Sequence, residues 1–207
     1  MPYGYLGQNT PNQTVSNSGV FSISDVANLT KQGKFGGSLE LIQEVTLSAD
    51  SVLDFTAIQE SVYDVHQLQL NITDLSSSVY LGTRFYESGV LETASVYQYA
   101  EQYGYSTGSF GEQKSTGQTF ILSSESNLVN TSVNLYMYLY NLGNSSKYSF
   151  LTFQCLGRKW PAGDFNFYFG GGVLPQASTV DGIRVYPSTG NFTGTAKLYG
   201  VKQLWVL

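Results

Sequence analysis

The sequence predicts an all-β chain, an antiparallel β-sandwich of jelly-roll type with an extended N-terminal arm and one short helix, on three observations. Only 12% of residues are charged while 14% are aromatic, which leaves too little charge for the outer faces of a helical bundle and suits strands. From Leu39 onward apolar and polar residues alternate with period two, the pattern of half-buried strands. Turn clusters such as TDLSSS, NLGNSS and FGGGVLP separate the runs, and no sustained internal repeat points to a propeller or β-helix.

Taken in order, residues 1–24 read as an arm. They carry no charged side chain, two prolines and many small polar residues, so they cannot form a regular helix and bury little alone. Pro2, Tyr3, Tyr5 and Leu6 are the candidate anchors of that arm on a partner. In SISDVANLTKQGKFGG, Ser24 can cap a short helix, Asp25 suits its first turn, Val26 and Leu29 share a face and Gly33 ends it. Residues 25–207 are then expected to form one sandwich domain.

Within that domain LELIQEVTL sets Leu39, Leu41, Gln43, Val45 and Leu47 on one face, and HQLQLNI sets His66, Leu68, Leu70 and Ile72 together. VYLGTRFYE places Val79, Leu81, Thr83 and Phe85 opposite Tyr80, Arg84 and Tyr86. The clearest run is VNLYMYLYN, with Val133, Leu135, Met137 and Leu139 on one side and Tyr136, Tyr138 and Tyr140 on the other. Those tyrosines are expected to cover a second sheet face packed against another sheet or subunit, a sugar-stacking face being the other reading. YSFLTFQCL and FNFYFG add further strands, with Cys155 a buried small hydrophobe. Residues 92–120 are rich in Gly, Ser, Thr and Gln and read as a frayed strand and a long exposed loop, with Tyr97, Tyr99, Tyr103 and Tyr105 as its contacts. The closing stretch TVDGIRVYPSTGNFTGTAKLYGV reads as a hairpin that closes the sandwich, and Trp205 and Leu207 are expected to be buried.

The search for chemistry returns little. A Ser/His/acid hydrolase needs a base, and the one histidine, His66, shares its face with Leu68, Leu70 and Ile72, which favours a structural role. No metal-ligand spacing and no cofactor motif is visible; GEQKSTG lacks the core of a phosphate loop. Paired acids, Glu40 with Glu44 and Asp50 with Asp54, leave a glycosidase as a minor alternative. A net charge of −5 disfavours nucleic acid as a partner, and no apolar run suggests membrane insertion. The N-terminus has neither the basic nor the apolar region of a signal peptide, and one cysteine cannot form an internal disulfide. Six Asn-x-Ser/Thr sequons in so Ser/Thr/Asn-rich a chain are expected by chance.

Three stretches carry a resemblance. MPYGYLGQNTPNQTVSNSGVFSISDVANLTKQGKFGGSLELI, SVLDFTAIQESVYDVHQLQLNI and VDGIRVYPSTGNFTGTAKLYGVK resemble virion structural proteins of tailed phages of marine bacteria, cyanophages among them. The likeness covers most of the chain except about 92–120. It implies a non-enzymatic component of the particle exterior, made in the host cytoplasm and resident in the virion. The first expectation is a capsid decoration protein (a head fibre being a variant) that docks on major capsid or tail subunits and self-associates, as a trimer by analogy. The alternative it implies is a tail or tail-fibre component that binds a host surface glycan or receptor.

Overall fold

The computed structural model describes residues 23–31, 39–77, 79–128, 132–158 and 164–202. Helix α1 (Ile23–Lys31) starts one residue ahead of Ser24 and stops short of Gly33. By backbone contacts the helix falls in a different unit from the β-domain of 39–202. The first strand of the sandwich begins at Leu39, where period-two alternation begins. The arm anchors Pro2, Tyr3, Tyr5 and Leu6, and Trp205 and Leu207, lie outside the described residues.

The β-domain runs through β1 (Leu39–Asp50), β2 (Leu53–Phe55), β3 (Val65–Leu75), β4 (Val79–Glu87), β5 (Val90–Leu91), β6 (Tyr97–Tyr105) and β7 (Phe110–Gln118). It continues through β8 (Ile121–Leu128), β9 (Val133–Tyr140), β10 (Ser149–Arg158), β11 (Phe165–Leu174), β12 (Val180–Pro187) and β13 (Phe192–Val201). Four antiparallel pairs define the topology: β1 with β13, β2 with β12, β3 with β9, and β4 with β8. The chain thus runs out along β1 to β4 and back along β8, β9, β12 and β13 as one two-stranded ribbon. Successive rungs of that ribbon fall alternately in a larger and a smaller sheet. This is the wrapping of a jelly roll, and the predicted fold class holds.

Two insertions enlarge it. Strands β5 to β7 lie between β4 and β8 in the chain, and β10 and β11 lie between β9 and β12. β10, β11, β6 and β7 extend the larger sheet to eight strands, in the order β1-β13-β3-β9-β10-β11-β6-β7. The smaller sheet runs β2-β12-β4, with β5 and β8 pairing different parts of β4.

Between the sheets lies an apolar core. Leu68, Leu70 and Ile72 of β3, Val133, Leu135, Met137 and Leu139 of β9, and Leu151, Phe153 and Cys155 of β10 meet Phe55, Leu81, Phe85, Ile121, Ile183 and Val185 of the smaller sheet. The small hydroxyls of β4 and β8 within it are satisfied locally: the Thr83 and Ser123 hydroxyls lie 3.0 Å apart, and the Leu81 N–H donates to Ser124 Oγ at 3.0 Å.

Four expectations change. Residues 92–120 are not a long loop: β6 and β7 pair from Gln98 opposite Thr116 to Gly104 opposite Phe110, and a tight turn joins them, with Gly108 at φ +93°. Phenol and amide groups on these strands kept the alternation below the contrast that marks a strand. The closing stretch is no hairpin, because β12 and β13 pair in different sheets and the turn carries the chain across the sandwich. FGGGVLP is not a turn either. Its glycines lie inside β11, where a Cβ on Gly170 would run into the Ala100 carbonyl of β6. Finally, a register shift at Leu41/Gln43 inverts the parity of β1, leaving Leu39 and Leu41 exposed while Ile42 and Val45 pack on the core.

Two variants test this architecture by chemical denaturation. Gly170→Val should lower stability by more than about 2 kcal/mol, because the obstacle is a paired backbone rather than a side chain that can turn aside; the exposed Lys114→Ala should change it little. Tyr97→Phe should cost about 1–3 kcal/mol. The Tyr97 hydroxyl is buried, accepts the Phe85 N–H at 2.9 Å and donates to the Glu92 carbonyl at 3.2 Å, so its loss strands a buried donor.

Candidate functional site

The sequence-predicted contacts divide. Tyr97 is fully buried and belongs to the core, which corrects its expected role as an exposed contact; the inward side of β6 faces the space between the sheets. Tyr99, Tyr103 and Tyr105 share that inward parity and are half-buried. Tyr103 packs on Tyr105 and on buried Tyr168, with ring centroids 5.6 and 6.0 Å apart. The four form an aromatic seam under the sheet rather than a contact surface above it.

The candidate acids are also occupied. Glu40 pairs with Lys202 at 3.0 Å; Lys202 and the Tyr63 hydroxyl hold its carboxyl below the usual range, while burial and then Glu40 push the Tyr63 phenol up to about 12. Glu44 pairs with Lys197 at 3.4 Å, and Asp50 accepts the Ser48 N–H at 2.7 Å. Asp54 receives a two-pronged contact from Arg184, at 2.7 and 2.6 Å, and a hydrogen bond from Tyr86 at 3.0 Å. Asp50 and Asp54 lie on strands of different sheets.

His66 is fully buried beside Tyr63, with Nε2 placed 2.7 Å from the Ile58 carbonyl as its donor. Burial lowers its pKa, against the smaller opposing effects of the Ile58 carbonyl and Glu60. Burial likewise pushes the Cys155 thiol up, with the Glu101 carboxylate adding to it, so the thiolate needed for nucleophilic chemistry is disfavoured. Among the described residues no cluster of three His, Cys, Asp or Glu could hold a metal ion.

What the structure does assemble is a surface, the outer face of the eight-stranded sheet. Strand register aligns its outward side chains in cross-strand rows. One row runs Lys197, Gln69, Tyr136, Gln154, Phe169, Gln102, Glu112. The adjacent row runs Tyr199, Gln67, Tyr138, Thr152, Gly171, Ala100, Lys114 across the same strands. No further sheet covers Tyr136, Tyr138 or Tyr140 among the described residues, so they line an open face rather than a second sheet contact.

The half of this face built on the inserted strands is apolar. Phe165, Phe167 and Phe169 alternate along β11 and all point outward, Phe165 being 50% and Phe169 46% exposed. Phe167 stacks on Phe169 at 6.1 Å and tilts against Phe165 at 6.4 Å. Phe110 of β7, 75% exposed, reaches Phe167 edge-on at 6.3 Å across Gly104. A Cβ on Gly104 would lie 2.7–2.8 Å from both rings, so glycine is what allows the two to meet. Phe150, 43% exposed, adds a further ring from β10. The other half, over β13, β3 and β9, is an open groove of about 590 Å³ lined by amides, hydroxyls and tyrosine rings together with leucines and Lys197.

Nothing in FNFYFG announced the phenylalanine ladder. Both parities of that run are aromatic or polar, and the outward set is the more apolar of the two. Inward go Asn166 and Tyr168, both buried and hydrogen-bonded to each other at 3.0 Å.

Fold and surface together define a jelly-roll sandwich with a widened, exposed outer face. No protein-family model matches the chain, and no curated protein matches it.

His66 gives a measurable pH signature. Its folded pKa lies below its unfolded value, so the unfolded chain takes up the proton first. Stability should be level above about pH 6.5 and fall as pH drops below it, by at most about 1.4 kcal/mol per pH unit, until the lowered folded pKa is passed. Denaturant melts between pH 7.5 and 5 (roughly the titration range of an imidazole) should show this slope, and His66→Gln should remove it.

Proposed function

We propose that this protein is a non-enzymatic structural component of a tailed-phage virion, exposed on the particle exterior as a capsid decoration protein. It docks on other virion subunits through the phenylalanine ladder of β11 together with Phe110. The observation that carries this reading is the cluster itself. Four phenylalanine rings in mutual contact on an open sheet face, three of them about half exposed or more, form the kind of surface that a soluble chain keeps for a partner. Further support comes from its position on strands added to the basic jelly roll, so that the fold's own core does not require it. Jelly rolls serve in viral capsid and lectin domains, an analogy of fold that supports this reading. The occupied acids and the buried histidine and cysteine agree with a structural role. The arm of residues 1–24 is the second docking element of the same reading, and self-association, as a trimer, its oligomeric form.

Incorporation into purified particles tests it. A Phe110→Ser/Phe165→Ser/Phe169→Ser variant should fold, since all three side chains point outward, yet fall at least about tenfold in copies per particle, a loss of ~1.4 kcal/mol or more. Deleting residues 1–19 should leave the sandwich folded and also prevent incorporation. Normal copy number for either variant would refute the corresponding contact. Labelling spread over the head identifies a decoration protein, and labelling at one vertex the tail alternative.

A further inference from the structure

The other half of the sheet face is built differently, and we infer that the groove over β13, β3 and β9 is a binding site for a neutral oligosaccharide. Amides and tyrosine rings dominate the polar part of its lining, beside Leu156 and Lys197. Gln67, Gln69, Asn71 and Asn134 present planar amides, and Tyr136 and Tyr138 present rings. The cation on its floor, Lys197, is matched by Glu44 at 3.4 Å. The groove therefore offers no net charge to an acidic sugar or a phosphate.

The side chains are held by one another. Gln69 Nε2 donates to Gln67 Oε1 at 3.2 Å, and Gln67 Nε2 donates to the Tyr138 hydroxyl at 3.0 Å. Across the next strand the Tyr136 hydroxyl donates to Gln154 Oε1. Tyr136 and Tyr138 stand at 81° to each other with centroids 6.3 Å apart, so a face and an edge are offered side by side. A ligand thus meets side chains already fixed in place, which lowers the entropic cost of binding them.

The geometry leaves capacity for a ligand. Asn71 and Asn134 are register partners on β3 and β9, both exposed on the outer face. Each amide carries two donor hydrogens and an acceptor oxygen. Sugar hydroxyls donate and accept at once, so they can match an amide ladder in either sense, while the C–H face of a pyranose packs on an aryl ring. A protein partner fits this half poorly: it would have to find a hydrogen bond for every amide it buried, each unmatched group costing about 1–3 kcal/mol. Tyr136, 41% exposed, is the one ring of the pair open enough to receive a sugar face.

The test is titration of the folded protein with short neutral oligosaccharides of glucose, galactose and mannose, and with polygalacturonate as the acidic comparison, followed by tyrosine fluorescence and NMR shift changes. At least one neutral oligosaccharide should bind saturably and polygalacturonate should not. Tyr136→Ala, and separately Asn71→Ala/Asn134→Ala, should weaken that binding about tenfold or more with the unfolding midpoint retained. The Phe110/Phe165/Phe169 triple variant should bind the sugar as the parent does, which separates this site from the docking ladder. Absence of saturable binding by every neutral sugar, equal binding of polygalacturonate, or binding that survives both groove variants would overturn the assignment.

Discussion

Burying Leu68, Leu135 and Met137 against Phe85 and Ile183 requires the two ends of the β-domain to meet, because β1 is held by β13 and β2 by β12. Each rung of the ribbon joins strands far apart in sequence, so much loop entropy is lost before the core forms, and topologies of this kind fold slowly. Neither sheet can exist alone. One face of each is apolar, and only the opposite sheet covers it. That mutual cover also fixes which residues can be changed freely: those on the outer faces carry no share of it.

The insertions exploit this freedom. One enters where the ribbon turns back between β4 and β8 and the other on its return leg between β9 and β12, and β6, β7, β10 and β11 lengthen the larger sheet rather than add a layer. β11 settles between β10 and β6 with a glycine run at its centre, where neighbouring backbones come too close for a Cβ. Its register then sends Asn166 and Tyr168 inward beside the Tyr103 ring and leaves the phenylalanines outside. A strand whose more apolar side faces solvent is a local inconsistency, and such inconsistencies gather where a protein meets something else.

Two halves of one face consequently offer different physics. The phenylalanine half gains by removing apolar area from water, which favours a broad, dry partner. The amide half gains little by burial alone and much by matched hydrogen bonds, which favours a ligand dense in hydroxyls. A protein can be anchored through the first while the second stays open, since they occupy opposite ends of the eight-stranded order.

Much of the fold was legible in the residues. Alternation in VNLYMYLYN, HQLQLNI and VYLGTRFYE assigned the core face correctly, because in those runs apolar and polar residues separate cleanly by parity. The burial of His66 and Cys155 followed from the company they keep. The hairpin β6–β7 escaped because its phenols and amides lower the contrast on which parity depends, and the register shift in β1 escaped because one extra residue inverts every later position. The candidate site was barely visible: the tyrosines of β9 were in view as a stacking face, but the groove also needs amides from β3 and a lysine from β13, and the phenylalanine patch joins β7 to β11 over a glycine of β6. By itself the sequence determined that the chain is β-structured, where its strands alternate and which side chains are hydrophobic. Only the tertiary structure decided which strands are neighbours and which parity of an aromatic strand faces water, because both are set by pairing between segments remote in the chain and not by any property of a segment alone.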